Sequence, residues 1–169
     1  MYRYAALFVA GALAGACALQ AQNPSAEVKQ MYTGIKNNLT RMAEKMPEEN
    51  YAFQPTPDIR TFGQLIAHVA DSQARTCSTV NGDPKSVDAA KKTSKADLVA
   101  ALKESFAICD TAYDALSDAT ASQTVTMGRN QASKLGALAR NASHSNEEYG
   151  YMAVYLRLKG IVPPSSEKR

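Results

Sequence analysis

The sequence predicts an all-α fold, a four-helix bundle that forms one domain after a signal peptide. Apolar residues recur at intervals of three and four in four long segments, which is the spacing of one helix face. Alanine, the best helix former, is abundant. The 169 residues suffice for one domain of the usual size. Amphipathic helices that must bury one face against each other predict a bundle.

The N-terminal residues, 1–21, have the pattern of a secretory signal peptide. Arg3 supplies the early positive charge, and small and apolar residues then extend from Ala5 to Leu19. Cleavage after Ala21 would leave the bundle domain as residues 22–169. The apolar run is short for a membrane span, which needs about 20 residues. We therefore expect export to the periplasm or the outside of the cell, with no stable membrane span after cleavage.

Two alternatives to cleavage remain open at this point, an uncleaved N-terminal anchor and a lipoprotein modified at Cys17. The net charge of the whole chain is +3, and the two signs are mixed along it without a block of lysine and arginine. The sequence therefore does not indicate nucleic-acid binding.

The helices follow from periodicity and from residues that favour helix ends. Thr61 with Gln64, and Ser94 with Asp97, have the spacing of a capping box. Pro47 stops the first segment, and Gly160 lies just past the last. The predicted helices extend from about Ser25 to Met46, Thr61 to Val80, Ser94 to Leu116 and Gln131 to Lys159.

The connections are predicted to be extended. Residues 48–60 contain two prolines, and we expect Tyr51 and Phe53 to pack their rings against the bundle. Residues 123–127 alternate like a short strand, but one strand is not stable alone. We therefore expect an extended crossover between the third and fourth helices.

Removal of the signal peptide leaves two cysteines, Cys77 and Cys109. An even pair in an exported protein is typical of a disulfide. Two buried thiols in a helical core are the equally weighted alternative.

The last predicted helix contains an unusual polar pair. Steps of three and four define one stripe, which we expect to face inward; its members are Ala137, Asn141, His144, Glu148, Tyr151, Tyr155 and Leu158. A buried carboxylate without a partner costs several kcal/mol, on the order given for buried charges. His144 and Glu148, one turn apart, therefore suggest a compensating cation such as a metal ion.

Two blocks of sequence carry a resemblance to a known family. The first is Met-Pro-Glu-Glu-x-Tyr-x-Phe-x-Pro-Thr-Pro with Arg-Thr-Phe-Gly-Gln-Leu-x-x-His, ending at His68. The second extends from His144 to Ser166 and contains Tyr-Gly, Tyr-Leu-Arg and Gly-Ile-Val-Pro-Pro-Ser-Ser. Together they resemble the secreted branch of the DinB-like family, small metal-binding four-helix proteins. The resemblance covers nearly the whole mature chain.

The resemblance implies a metal site formed by His68, His144 and Glu148. Two imidazoles and one carboxylate suit Zn, Ni, Fe or Mn, with positions left open for water or substrate. The family commonly has histidine at the third place, so Glu148 is a departure. The carboxylate either ligates as a harder, shorter donor or marks a site that has been lost. Two histidines that bind no metal are the plain alternative.

Tyr151 is a weak catalytic candidate because it follows Glu148 on the same stripe, although core packing is the favoured interpretation. Members of the DinB-like family include enzymes that activate a low-molecular-weight thiol. The resemblance therefore implies a metal-dependent hydrolase or thiol transferase acting on an unknown small molecule. The alternatives are a non-enzymatic metal or ligand-binding module, or a structural homodimer with a degenerate site.

Overall fold

A computed structural model describes residues 23–168 of the chain. The predicted signal peptide, residues 1–21, lies outside the described residues. Four helices account for most of the described chain: α1 (Pro24–Lys45), α2 (Phe62–Asn81), α3 (Lys95–Asp114) and α4 (Lys134–Leu158). They form a bundle, so the predicted all-α class is confirmed.

The two helix starts with predicted capping residues, Thr61 and Ser94, are confirmed. At α2, the Thr61 hydroxyl accepts a hydrogen bond from the Gln64 amide at 3.2 Å, and the Gln64 side chain accepts one from the Thr61 amide at 2.8 Å. Ser94 caps α3 by accepting from the Asp97 amide at 3.1 Å. α1 begins at Pro24, one residue before the predicted start at Ser25, and its cap is Asn23, whose side chain accepts from the Ala26 amide.

The predicted crossover between α3 and α4 is wrong in one respect. Residues Thr124–Met127 do form a strand, β1, which pairs antiparallel with β2 at Asn130–Ser133. Its partner comes from residues that the sequence assigned to the start of the last helix. Gly128 occupies the left-handed region (φ 64°) in the connecting turn, where a side chain would be strained. The hairpin packs against α2 and α4.

As a result α4 begins at Lys134, three residues later than predicted, with the Ser133 hydroxyl accepting from the Gly136 amide.

The core lies between the four helices. α2 makes its most extensive contacts with α3, and α4 packs against α2 and α1. The largest fully buried apolar side chains include Leu39, Met42, Phe62, Ile66, Leu102, Phe106, Leu138, Met152 and Leu156. Burying one such side chain contributes about 1.5–3 kcal/mol, so this core is the main source of stability.

The predicted inward stripe of α4 is wrong at two of its positions. Tyr151 and Leu158 are 52% and 58% exposed, whereas Glu148 and Tyr155 are buried. At 100° per residue, Tyr151 and Leu158 lie about 60° and 80° to one side of Glu148, and the buried Leu156 lies about 80° to the other. The core-facing direction is therefore rotated away from the stripe, and the favoured packing of Tyr151 in the core is overturned.

Two further predictions about packing can be compared with the structure. Tyr51 is buried and donates its hydroxyl to the Ala43 carbonyl, while the half-buried Phe53 meets the Tyr155 ring edge-on at 5.9 Å. The 48–60 connector thus packs its rings against the bundle as expected.

Cys77 and Cys109 are both buried and are joined as a disulfide, with Cα atoms 4.9 Å apart, which links α2 to α3.

No helix within residues 23–168 is long and apolar enough to cross a membrane.

Candidate metal centre

Two neighbouring helices bring the three predicted ligands together. His68 comes from the first half of α2, and His144 and Glu148 lie one turn apart on α4. The two Nε2 atoms are 3.2 Å apart, and Glu148 Oε1 is 3.6 Å from each of them. One donor atom of each residue thus belongs to a single cluster.

The cluster is open on one side and closed on the other. Each histidine side chain is 31% exposed, whereas that of Glu148 is only 7% exposed. Oε2 of Glu148 is buried and has no hydrogen-bond partner among the described residues. A buried carboxylate oxygen without a donor is costly, and a cation held between the three side chains would compensate it.

The spacing of the donors fits a small divalent cation. Bonds from zinc to nitrogen or carboxylate oxygen are about 2.0–2.2 Å, which places two ligands about 3–3.5 Å apart at octahedral or tetrahedral angles. The observed separations of 3.2 Å and 3.6 Å fall at or just beyond that range. The residues present therefore fit a metal site, with the remaining positions on the open side.

Burial shifts the titration of two of the three groups in opposite directions. Desolvation raises the pKa of Glu148, and the nearby His144 and Arg60 oppose that shift. Desolvation also lowers the pKa of His68, helped by the positive charge of Arg60. A neutral His68 is the form that binds a metal, so this environment prepares it as a ligand.

Comparison with known proteins places the chain in a family. The sequence profile of the DinB superfamily matches residues 31–152. The chain belongs to the DinB superfamily. The matched region contains all three clustered residues, and the family and the cluster together point to metal binding. No curated protein sequence matches the chain.

Solved structures of other DinB-like proteins share this fold. A DinB-like protein from Bacillus cereus ATCC 10987 aligns with a TM-score of 0.71 and 15% identity, covering 82% of this chain and 95% of that one. A conserved protein from Enterococcus faecalis gives 0.65 and 14%, covering 82% and 98%. A DinB-like protein from Bacillus subtilis gives 0.64 and 15%, covering 79% and 92%. At these identities the likeness concerns the fold.

Each of the three clustered residues of this DinB-superfamily protein also borders a cavity. The Glu148 cavity, about 690 Å³, has mainly apolar walls that include Leu65, Val154 and Tyr155. The His144 cavity, about 620 Å³, lies between α2, α4 and the hairpin, and the His68 cavity, about 490 Å³, lies beside α2. Each is named for the clustered residue in its wall.

Tyr151, the weak catalytic candidate, lies in the wall of the Glu148 cavity rather than in the core. Its hydroxyl donates to Glu147 Oε1 at 2.7 Å, and this hydrogen bond, together with the negative charge of Glu147, raises the pKa of Tyr151. The side chain therefore borders the approach to Glu148, bonded to a residue outside the cluster.

Arginines near the centre were not singled out as functional from the sequence. Arg60 borders both the Glu148 and the His68 cavities, and Arg75 and Arg140 border the His144 cavity. A signal was present in the spacing, because Arg75 follows His68 by seven residues and Arg140 precedes His144 by four. Both intervals return to the same helix face.

The unpartnered carboxylate makes a testable prediction about metal-free protein. We expect Glu148→Gln to raise the free energy of unfolding at about pH 7 by on the order of 1 kcal/mol, because it removes a charge that burial disfavours. The folded-state pKa of Glu148 is raised, so its favourable contribution is present below its ordinary pKa of 4.5 and is lost as pH rises. The gain from Glu148→Gln should therefore shrink towards about pH 4.

Denaturant unfolding in the presence of a chelator measures this effect. Glu147→Gln is the matched control, because Glu147 is the exposed neighbour and should give no comparable gain. A Glu148→Gln variant that is less stable than the wild type at neutral pH would contradict the interpretation of Glu148 as a charge that burial disfavours.

Proposed function

We propose that this DinB-superfamily protein is a metal-dependent enzyme of the cell envelope, acting as a hydrolase or a thiol transferase. The observation that carries the proposal is the buried Glu148 carboxylate, whose Oε1 is 3.6 Å from the Nε2 atoms of His68 and His144 and whose Oε2 has no partner among the described residues. The three side chains would hold one divalent cation, Zn, Ni, Fe or Mn.

The chain's own residues define what such a centre could do. The partly exposed imidazoles leave the cluster accessible to solvent and to small molecules, while buried Glu148 closes its inner side. A bound divalent cation lowers the pKa of water or of a thiol that reaches it and so supplies a nucleophile near neutral pH. The apolar wall of the Glu148 cavity would hold the body of a substrate and exclude water from it.

The environment outside the cytoplasm favours hydrolysis over thiol transfer in this proposal. The predicted signal peptide implies export, and low-molecular-weight thiols are cofactors of the reducing cytoplasm. The disulfide between Cys77 and Cys109 supports an oxidising compartment for the same reason. A binding module without catalysis, the alternative, would use the same three ligands without turnover.

One preparation tests compartment and metal together. We expect native protein to be recovered from the envelope or extracellular fraction with an N-terminus near Gln22 and about one divalent metal ion per chain. Cell fractionation, N-terminal sequencing and elemental analysis of the same sample give the three answers. Protein that begins at Met1 in the cytoplasmic fraction would refute export, and protein purified without chelators that contains no metal would refute the proposed centre.

An activity assay then distinguishes an enzyme from a module that only binds metal or ligand. A panel of ester, amide and thiol-conjugation substrates should show turnover that disappears in both chelator-treated protein and a His144→Ala variant. Metal binding without any such turnover would favour the binding module.

A further inference from the structure

The His144 cavity differs chemically from the other two because no acidic residue contributes to its wall. Two arginines face it from different helices, Arg75 on α2 and Arg140 on α4. The Glu148 cavity, by comparison, includes Asp58 and Glu148, and the His68 cavity includes Asp71. Arg75 also borders the His68 cavity, so the two cavities are adjacent. The wall of the His144 cavity itself carries two positive charges and no negative charge, beside a residue of the candidate metal centre.

Neither guanidinium has a side-chain partner elsewhere in the described part of the chain. Arg75 and Arg140 form no ion pair and donate no side-chain hydrogen bond within residues 23–168, whereas Arg41 pairs with Glu167 and Arg157 bonds Ser166. Two like charges on the walls of one cavity repel each other mildly, and a bound anion would relieve that repulsion. Arginine is also suited to binding carboxylates and phosphates through two parallel hydrogen bonds.

Neutral donors complete the same wall. Ser72 and Thr76 border the cavity, and their hydroxyls form no hydrogen bond within the described residues. The amide side chains of Asn130 and Gln131, at the start of β2, border it from the hairpin. Hydroxyl and amide groups around paired arginines supply further donors to an oxyanion.

We propose that the His144 cavity binds the oxyanion group of a small molecule, a phosphate or a carboxylate, between Arg75 and Arg140. This binding site adds a substrate class to the proposed function, since His144 belongs to both the cavity and the metal cluster. A ligand anchored by its anionic group would have its remaining atoms beside the metal-binding side chains. The substrate class is therefore a small anionic molecule rather than a neutral lipid or a cation.

Titration calorimetry of metal-free protein with inorganic phosphate, and separately with succinate, tests the site at low ionic strength. We expect at least one of the two anions to bind, and Arg75→Gln and Arg140→Gln each to weaken that binding at least about tenfold, the worth of a charge-assisted hydrogen bond. Preference for phosphate or for succinate identifies which oxyanion the site accepts. Arg140→Lys should recover part of the affinity by restoring the charge without the planar fork.

Arg129→Gln is the matched control. Arg129 is exposed in the turn between Gly128 and Asn130, beside the cavity but not in its wall, and should leave anion affinity unchanged. The proposal is overturned if neither anion binds, if the Arg75 and Arg140 variants bind as well as the wild type, or if Arg129→Gln weakens binding equally.

Metal titration of the Arg75→Gln/Arg140→Gln double variant keeps the two proposals separate. The double variant should take up metal like the wild type, since neither arginine is in the ligand cluster. Anion binding by a protein that takes up no metal would refute the proposed metal-dependent function and leave this site intact. Metal uptake without anion binding would refute the anion site and leave the proposed metal centre intact.

Discussion

Glu148→Ala should reduce divalent-metal affinity at least about a hundredfold, more than loss of a residue that only supports a ligand. The carboxylate is the buried member of the cluster, and its Oε1 is 3.6 Å from both Nε2 atoms. Its removal leaves two imidazoles, which bind a divalent cation weakly. Calorimetric titration of metal-stripped wild type and variant with Zn, Ni, Fe and Mn measures the change.

Thermal unfolding supplies an independent readout of the same variant. A ligand present at a hundred times its dissociation constant stabilises the folded state by about 2.7 kcal/mol. Wild type should gain stability on this scale when metal is added, whereas Glu148→Ala should gain almost none. Glu147→Ala, which removes the adjacent carboxylate outside the cluster, should behave like the wild type.

Glu148→His decides whether the departure at this position is functional. The DinB-like resemblance implies histidine here, and a third imidazole should tighten binding of Zn or Ni. If the wild type takes up none of the four metals but Glu148→His does, the natural site has been lost. If neither protein binds metal, the three side chains do not form a metal site at all.

The sequence predicts the helices of this protein well because their signals are local. Thr61 with Gln64, and Ser94 with Asp97, mark helix starts within four residues, and the structure has those hydrogen bonds. Residues 124–127 show the opposite case, since a strand exists only if a partner is found. That partner is residues 130–133, most of which fall in the predicted last helix, so the hairpin cannot be predicted from either segment alone.

The candidate site could be predicted in part for a related reason. His144 and Glu148 share a helix face by spacing alone, whereas the approach of His68 depends on how α2 packs against α4, and only the family resemblance implied it. The exposure of Tyr151 could not be predicted, because residue spacing shows which side chains share a helix face but not which edge of that face packs against the core. Arg75 and Arg140 border one cavity because α2, α4 and the hairpin pack together, and their sequence positions alone do not predict that packing.

The second large effect concerns the disulfide. Replacing both Cys77 and Cys109 by alanine should lower the free energy of unfolding by about 3–4 kcal/mol, the chain-entropy value for a loop of this length. The bridge spans 32 residues of sequence and joins the buried faces of α2 and α3. Without it, the unfolded chain gains conformational freedom and the core loses two buried sulfur atoms.

Denaturant unfolding of the wild type and the double-alanine variant, each with and without a reductant, checks this value. The reductant should lower the stability of the wild type and leave the variant unchanged, which separates loss of the bond from any general effect of reduction.

Asn141 connects the bridge to α4, because its amide nitrogen lies 3.8 Å and 3.9 Å from the two sulfur atoms and 3.2 Å from the Tyr113 hydroxyl. Asn141 precedes His144 by one turn, so we also expect weaker metal binding in the variant. A double-alanine protein within about 1 kcal/mol of the oxidised wild type would show that the bridge adds little to stability.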